Sequence, residues 1–248
     1  MYCYKNFASI YDELIYGDID YKHWANNIMN ICNQYNIQKK NYLDLACGTA
    51  NLTVELGKHF NNVYAVDLSQ EMLTVAEEKL REENIRTKVF CQNICDLKIK
   101  NKFNLITCAL DSTNYILDEN QLKKYFEGVY NLLEDDGLFI FDINSYNKLT
   151  KILGNNIFNY DSEDVVYIWE NYLENDIVNM YLTFFVQKGQ MYERFDEEHC
   201  ERAYKSTYIE EILKELGFSI EKILDCYEEK SINEDTERIT YVVKKLIK

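Results

Sequence analysis

The chain has 248 residues, of which 47% are hydrophobic and 28% are charged, and its 42 acidic and 27 basic side chains give a net charge of −15 at pH 7. This length and hydrophobic content suit one sizeable globular domain, with or without an embedded subdomain, and exclude a disordered chain. Because nucleic-acid binding draws most of its affinity from Lys and Arg contacts with phosphates, the acidic balance argues against DNA or RNA and favours a small substrate.

Eight cysteines are scattered along the chain without a C-x-x-C pair, a pattern that argues against a disulfide framework or a zinc site. The first residues lack the apolar segment of a signal peptide, and no apolar run is long enough to span a bilayer. We therefore expect a cytoplasmic protein with reduced thiols, no metal and no membrane partner. The sequence does not indicate an oligomeric state.

Helix-like and strand-like spacing alternate through the first 143 residues. The predicted helices cover 20–36, 51–60, 70–82 (capped by Ser69) and 119–133, and the predicted strands cover 42–46, 63–67, 86–91, 103–110 and 138–143. A turn at Asp135-Asp136-Gly137 precedes the last of these strands. This alternation predicts an α/β fold with a Rossmann-like, doubly wound and mostly parallel sheet.

The pattern changes after residue 144. Strand-like runs over 164–172, 177–187 and 191–202 predict an antiparallel β insert. A helix over 207–216 stopped by Gly217, and strands over 218–227 and 238–246, follow it. We expect 1–144 and 205–248 to form one cofactor-binding domain with a seven-stranded sheet, and 145–204 to form a lid that carries the substrate side of the site.

The segment 43–67 is the most informative part of the chain. Asp44 ends a buried strand before the small-residue turn Ala46-Cys47-Gly48-Thr49-Ala50, and Asp67 ends the next strand. Such a strand, turn and helix start form the crevice for a nucleoside-bearing cofactor, with the second acid placed to hold a ribose. The turn has one glycine and no G-x-G-x-x-G, and a carboxylate beside it repels a pyrophosphate but suits an ammonium or sulfonium. The pattern therefore favours S-adenosylmethionine over NAD.

The segment Asp44-Leu45-Ala46-Cys47-Gly48-Thr49-Ala50 resembles the first motif of class I S-adenosylmethionine-dependent methyltransferases. Phe7-Ala8-Ser9-Ile10-Tyr11-Asp12 resembles the opening of the small-molecule branch of that family, which includes amino-sugar and glycine N-methyltransferases. Segments 66–73 and 92–97 resemble two further motifs, so the likeness extends across most of the chain. The resemblance implies an enzyme that transfers a methyl group from S-adenosylmethionine to a small-molecule acceptor, releases S-adenosylhomocysteine and needs no metal.

The resemblance also implies roles for individual residues in the cofactor site. Asp67 would accept hydrogen bonds from the ribose hydroxyls, and Leu110 would present its carbonyl near the ammonium group. The other implied cofactor residues surround the methionine portion or the adenine: Tyr11, Asp44, Ala46, Cys47, Gly48, Thr49, Leu68, Met72, Asn93 and Ile94. Ala50 stands where the last motif glycine is usual, and Asn93 where an acid is usual, although an amide oxygen can still accept from the adenine amino group.

For catalysis, the candidates are Tyr11 and His199, with Asp111, Tyr115 and Glu198 as further residues that line the site. Methyl transfer depends mainly on holding donor and acceptor at about 3–3.5 Å, and an amine acceptor additionally needs a group that takes its proton. N-methylation is slightly favoured over O-methylation. Three other hypotheses stay open: a non-catalytic S-adenosylmethionine sensor or scaffold, an RNA or protein methyltransferase, and an NAD-dependent oxidoreductase, which the glycine spacing disfavours.

Overall fold

The computed structural model describes Asp12 and residues 19–246. Two sheets contain all of the strands in these residues, and they are numbered in chain order. The first sheet holds β1 (Asn41–Leu45), β2 (Asn62–Asp67), β3 (Thr87–Cys91), β4 (Phe103–Cys108), β5 (Leu133–Asn144), β10 (Phe218–Asp225) and β11 (Arg238–Lys245). The second sheet holds β6 (Ile157–Asp161), β7 (Val165–Glu174), β8 (Ile177–Lys188) and β9 (Met191–Arg202).

Five α-helices connect or flank these strands within the described residues. They are α1 (Tyr21–Gln34), α2 (Asn51–Gly57), α3 (Gln70–Glu82), α4 (Glu119–Leu132) and α5 (Ser206–Glu215). A 3-10 helix covers Ser112–Tyr115 and a π-helix covers Lys148–Leu153. The predicted cap of α3 is confirmed, because the Ser69 side chain accepts a hydrogen bond from the Met72 N–H at 3.1 Å.

The seven-stranded sheet has the order β10-β11-β5-β4-β1-β2-β3. Strands β1 to β5 pair in parallel, whereas β11 runs antiparallel to both β5 and β10. The chain leaves β1 toward β2 on one side and returns to β4 on the other, so the strand order reverses between β1 and β4. Ligands of open α/β sheets bind at such a reversal, outside the carboxyl ends of the strands. The predicted Rossmann-like α/β fold is confirmed.

Apolar side chains bury both faces of this sheet, as a doubly wound fold requires. Along β5, Phe139, Phe141 and Ile143 belong to one core cluster, while Leu138 and Ile140 belong to the other. The first cluster includes apolar residues of α4 and α5, and the second includes those of α1 and α2. Helices on both faces therefore leave the carboxyl edge of the parallel strands as the accessible edge.

The second sheet is antiparallel, as predicted, with the order β6-β7-β8-β9. Its first strand, β6, was not predicted, because Ile157, Asn159 and Tyr160 are exposed and the segment lacks the alternation of a half-buried strand. The π-helix before it was not predicted either. Residues of that helix, Leu149 and Leu153, pack with Val178 and Met180 of β8 to form a separate small core.

Among the predicted strand boundaries that were wrong, those at the end of β4 and at the start of β5 have clear local causes. Strand β4 ends at Cys108, two residues early, because Leu110 and Asp111 have positive φ values of 57° and 52° and turn the chain away from the sheet. Strand β5 starts at Leu133, and the predicted turn at 135–137 is a bulge within it, since Leu133 pairs with Phe103 while Leu138 pairs with Leu105.

Candidate active site

A cavity of about 720 Å³ opens at the carboxyl edge of the parallel strands. This volume lies within the range of small-molecule and cofactor sites. The residues that line it come from the ends of β1 and β2 and from the segments that follow β1 to β4, together with Tyr21: Tyr21, Asp44, Ala46, Cys47, Gly48, Thr49, Asn51, Leu52, Asp67, Leu68, Ser69, Gln70, Glu71, Met72, Asn93, Ile94, Cys95, Ala109, Leu110, Ser112, Tyr115, Ile116, Leu117, Asp118 and Gln121.

The small-residue turn between β1 and α2 has left-handed backbone at alternate positions. Ala46, Gly48 and Ala50 have φ values of 51°, 52° and 67°. A Cβ built on Gly48 would meet no atom within 4 Å, so its backbone conformation, and not the space around it in this structure, is what favours glycine. Alanine in this conformation costs about 1–2 kcal/mol, which the turn sustains at Ala46 and Ala50. The turn thereby exposes a concave backbone surface to the cavity.

Asp67 ends β2 and joins two segments of the cavity wall. Its Oδ2 atom accepts a hydrogen bond from the Gly48 N–H at 2.8 Å, and its Oδ1 atom accepts one from the Ser69 N–H at 2.8 Å. Burial raises the pKa of Asp67, and these backbone donors act in the opposite direction. Each carboxylate oxygen has a second lone pair, so the group can still accept two donors such as vicinal hydroxyls.

Asp44 lies deeper, with only 2% of its surface exposed. The hydroxyls of Thr53 and Thr107 donate to its two oxygens at 2.5 and 2.7 Å. Burial raises the pKa of Asp44 to about 6, with a contribution from nearby Asp67, although the hydrogen bonds act against the rise. Because both donors are neutral hydroxyls, a cationic ligand in the cavity would balance the charge that this carboxylate carries at neutral pH. A carboxylate held only by neutral hydroxyl donors is suited to a ligand with an ammonium or sulfonium group.

Apolar and amide groups form the far side of the cavity. Leu68, which is 65% exposed, and Met72, which is buried in the first turn of α3, both line the cavity. Asn93 and Ile94 follow β3, and the Asn93 Oδ1 atom accepts a hydrogen bond from the Cys95 N–H at 2.8 Å. An exposed leucine beside a buried methionine and an amide suits a flat, partly polar ring such as adenine.

The segment after β4 lines the cavity at Leu110, Ser112 and Tyr115. The Tyr115 hydroxyl lies 3.4 Å from His199 Nδ1, and the two rings meet edge to face with centroids 6.0 Å apart. His199 is buried behind Tyr115 and is not among the lining residues. Burial lowers the pKa of His199 to about 4, against the opposing charge of Asp111, so the imidazole is neutral near pH 7.

The other predicted candidates lie in different places. Asp111 forms an ion pair with Arg238 at 2.7 Å, and Glu198 is exposed on β9; neither lines the cavity. Tyr11 lies outside the described residues. All of the remaining predicted cofactor residues line one cavity: Asp44, Ala46, Cys47, Gly48, Thr49, Asp67, Leu68, Met72, Asn93, Ile94 and Leu110.

Asp12, next to Tyr11 in the sequence, was not predicted as a site residue. Its carboxylate accepts hydrogen bonds from Thr49 Oγ1 at 2.7 Å, Asn51 Nδ2 at 2.9 Å and Lys79 Nζ at 2.7 Å. Burial acts to raise the pKa of Asp12, but these three donors outweigh it and hold the pKa below its usual value. Asp12 therefore braces the turn and the start of α2 from outside the cavity.

Beyond Leu110 and Tyr115, the lining residues that follow β4 were not predicted. Ile116, Leu117, Asp118 and Gln121 lie between the 3-10 helix and the first turn of α4. A signal was available, because they follow the central strand at the edge where the cofactor motif also lies. Among the described residues, no group of three or more His, Cys, Asp or Glu side chains could hold a metal ion. No helix within the described ranges is long and apolar enough to cross a membrane.

The fold and this cavity define a class of Rossmann-like enzymes that bind a nucleoside-bearing cofactor at the strand-order reversal. A family model described as a methyltransferase domain matches residues 43–137. A putative methyltransferase of Geobacillus sp. (strain WCH70) is 35% identical over 98% of this chain and 99% of its own length.

Solved structures agree with this family. The crystal structure of an S-adenosylmethionine-dependent methyltransferase from Clostridium acetobutylicum ATCC 824 is 55% identical, with a TM-score of 0.93 over 98% of this chain and 99% of that one. The sugar N-methyltransferase KedS8 from Streptoalloteichus sp. ATCC 53650 has the same fold, with a TM-score of 0.77 at 19% identity over 95% of this chain and 93% of that one. The chain belongs to the class I S-adenosylmethionine-dependent methyltransferases.

Proposed function

We propose that the cavity binds S-adenosylmethionine and that the protein transfers its methyl group to a small-molecule amine. The observation that carries the proposal is the pair of carboxylates formed by buried Asp44 and half-buried Asp67, near the carboxyl ends of the adjacent parallel strands β1 and β2. Asp67 retains acceptor capacity for two hydroxyls, and Asp44 is held by neutral donors only. The two acids thus match the ribose and the cationic amino-acid end of one ligand.

In this proposal the remaining lining residues follow the order of the cofactor. Ala46, Cys47, Gly48 and Thr49 border the amino-acid portion, and the Leu110 carbonyl lies at the ammonium group. Leu68, Met72, Asn93 and Ile94 enclose the adenine. When bound, S-adenosylmethionine supplies a methyl group on a sulfonium sulfur. The substrate nitrogen forms its new bond to that carbon in line with the departing sulfur.

The second sheet supports an amine as the acceptor. Alternate side chains of β9, Glu197, His199 and Glu201, are buried, whereas Glu198 between them is exposed. The buried row faces the 3-10 helix through the Tyr115–His199 contact, and Asn114 Nδ2 donates to the Arg202 carbonyl at 2.9 Å. None of these three side chains lines the cavity, and burial raises the pKa of Glu201 well above its usual value, so the row brings a neutral imidazole to the back of Tyr115 and places no carboxylate in the cavity. A protonated amine must lose a proton before its nitrogen can attack. An imidazole whose pKa is about 4 does not hold an ammonium proton near pH 7, so we assign to Tyr115 and the neutral His199 behind it the orientation of an amine that reaches the site as the free base.

The two sheets suggest separate regions for binding the cofactor and the methyl acceptor. We propose that 1–144 and 205–248 form the cofactor domain and that 145–204 forms the acceptor subdomain. The seven described cysteines are all free, which agrees with a reducing cytoplasm. A sensor that had lost turnover would not need an open cavity next to Tyr115, whereas this one reaches that side chain.

The charge of the insert opposes an RNA substrate. Residues 145–204 carry five Lys and Arg side chains against eleven Asp and Glu side chains, so the sheet over the site is itself acidic. Phosphates would be repelled there, whereas cations would be attracted. The same charge balance favours N-methylation over O-methylation, because a positively charged amine is attracted to the acidic insert before it enters the site.

The experiment is a screen of metabolite amines and matched hydroxy compounds for release of S-adenosylhomocysteine. We expect turnover with one class of primary or secondary amine and none with the hydroxy analogue. The variant Asp67→Ala is the control, since release that persists in this variant does not come from the proposed site. Turnover with hydroxy compounds alone would overturn N-methylation, and tight cofactor binding without any turnover would favour the sensor.

A further inference from the structure

Asp142 is a buried carboxylate of β5 that does not line the cavity. Four donors converge on it within the described residues. The backbone N–H groups of Leu110 and Asp111 donate at 2.9 and 2.6 Å, the Tyr227 hydroxyl donates at 2.6 Å, and Arg238 Nη1 donates at 2.5 Å. Because both oxygens accept two donors each, the side chain has no acceptor capacity left for a ligand.

Two of these donors belong to a turn next to the cavity in which two successive residues have positive φ values. Leu110 and Asp111 are consecutive non-glycine residues with left-handed backbone. Such residues persist only where the surroundings hold them, and here the Asp142 carboxylate binds both of their N–H groups. The turn presents Leu110 to the cavity and leads directly into the 3-10 helix that carries Tyr115.

Arg238 binds the turn through the side chain of Asp111. Its guanidinium spans two carboxylates, with Nη1 on Asp142 and Nη2 on Asp111 at 2.7 Å. The Arg238 guanidinium also lies over the Trp24 ring at 5.6 Å, and Trp24 stacks on Tyr227 with ring centroids 4.4 Å apart. Residues from α1, β5, β11 and the β10–β11 connection therefore converge behind one turn of the cavity wall. The planar guanidinium binds two carboxylates through two separate nitrogens, and the single ammonium group of a lysine cannot reproduce this geometry.

We propose that Asp142 and Arg238 are positioning residues for the methyl transfer: they fix the Leu110–Asp111 turn and, through it, the placement of Leu110 and Tyr115 at the cavity. The inference rests on the proposed function. Neither residue touches the ligand, so both act through the turn. If the turn relaxes, the Leu110 carbonyl leaves the ammonium group and the Tyr115 side of the cavity shifts with it. Displacements of about 1 Å are sufficient to cost two orders of magnitude in rate.

The test uses the full chain and S-adenosylhomocysteine as the probe. Arg238→Lys keeps the charge but removes the fork, Asp142→Asn keeps the shape but removes one acceptor oxygen, and Tyr227→Phe removes a single donor. Val242→Ala is the matched control, because Val242 is fully buried on β11 in the apolar cluster that also holds Trp24 and Tyr227, but its side chain has no polar atom that could bind Asp142 or Arg238. Dissociation constants are measured by calorimetry well below each variant's unfolding midpoint, which is recorded separately.

We expect the dissociation constant to rise about tenfold for Arg238→Lys and up to about a hundredfold for Asp142→Asn, as for the partial or full loss of the hydrogen bond between the Leu110 carbonyl and the ammonium group. The dissociation constant of Tyr227→Phe should lie between those of the wild type and Arg238→Lys. This variant tests the network even if Asp142→Asn does not fold. Val242→Ala should stay within about twofold of wild type despite a lowered midpoint. Network variants that bind as well as Val242→Ala at an equal midpoint would overturn the inference. Failure of the wild-type protein to bind would instead overturn the proposed function.

Discussion

The Gly48 N–H donates to the Asp67 carboxylate at 2.8 Å, so the acid at the end of β2 also holds the turn that follows β1. One side chain thereby links the two strands that flank the cofactor cavity. A ligand that binds Asp67 through its hydroxyls would meet a carboxylate whose orientation two backbone N–H groups already fix. Preorganisation of this kind raises affinity, because the group loses little freedom on binding.

Replacing Asp67 by Ala should therefore weaken the binding of S-adenosylhomocysteine strongly. Each lost hydrogen bond to the charged group is worth about 1.5–3 kcal/mol, and the turn at Gly48 also loses its anchor. Calorimetric titration measures the effect. Asp96→Asn removes an exposed acid close to the adenine side and is the control for net charge. Equal affinities of the two variants would remove Asp67 from the site.

Asp44 should make opposite contributions to stability and to binding. Because burial raises its pKa to about 6, the folded state favours the neutral carboxyl, and that contribution to stability is lost as the pH rises through about 6. Asp44→Asn should thus raise the free energy of unfolding of the ligand-free protein at pH 8 by about 1–3 kcal/mol, and by about half as much at pH 5. The same variant should bind S-adenosylhomocysteine more weakly at pH 8. Denaturant titrations at the two pH values check the first effect, and an equal change at both would contradict it.

The contribution of His199 to stability should depend on pH in the opposite direction to that of Asp44. Its pKa is lowered to about 4 by burial, so its contribution is present above pH 6.5 and is lost as the pH falls toward 4. In His199→Gln, the loss of unfolding free energy between pH 6.5 and 4 should be smaller than in wild type by about 3 kcal/mol. His59→Gln, at an exposed histidine, is the matched control. If His199 orients the free-base amine through Tyr115, His199→Gln lowers kcat while the affinity for S-adenosylhomocysteine stays unchanged; a loss of affinity alone would contradict that role.

Asp12 and Lys79 should be coupled through the small-residue turn. Asp12→Asn and Lys79→Met each break the same ion pair, which also involves the Thr49 and Asn51 side chains. A double-mutant cycle on the affinity for S-adenosylhomocysteine should show a coupling energy of about 0.5–3 kcal/mol. Additive effects would mean that Asp12 does not brace the turn through Lys79. The exposed pair Lys214–Glu210 on α5 provides a control cycle, for which we expect no coupling to binding.

The sequence was sufficient to predict the parts of the fold that depend on local periodicity and short motifs. The parallel strands carry continuous apolar runs, and the motif from Asp44 to Ala50 contains the residues that form the turn. The predicted cofactor residues within the described range all line one cavity because each follows the carboxyl end of a parallel strand. Topology brings such positions together without any information on side-chain contacts.

Long-range contacts were not predictable in the same way. Asp142 and Arg238 are 96 residues apart in sequence, and nothing near either residue indicates that the two meet behind the Leu110–Asp111 turn. The burial of His199 behind Tyr115 depends on how β9 packs against the 3-10 helix, which pairs residues 84 positions apart. Strand β6 was missed because its side chains are mostly exposed and its partner lies on one side only.

The most direct measurement is a calorimetric titration of the wild-type protein with S-adenosylmethionine and S-adenosylhomocysteine, with thermal unfolding followed in parallel. We expect one site, a dissociation constant in the range of about 1 μM to 1 mM that is usual for enzymes and their substrates, and an unfolding midpoint that rises with ligand concentration. Both effects should be lost in Asp67→Ala. No heat and no shift of the midpoint with either ligand would contradict the assignment of the cavity between β1, β2 and β4 as the cofactor site.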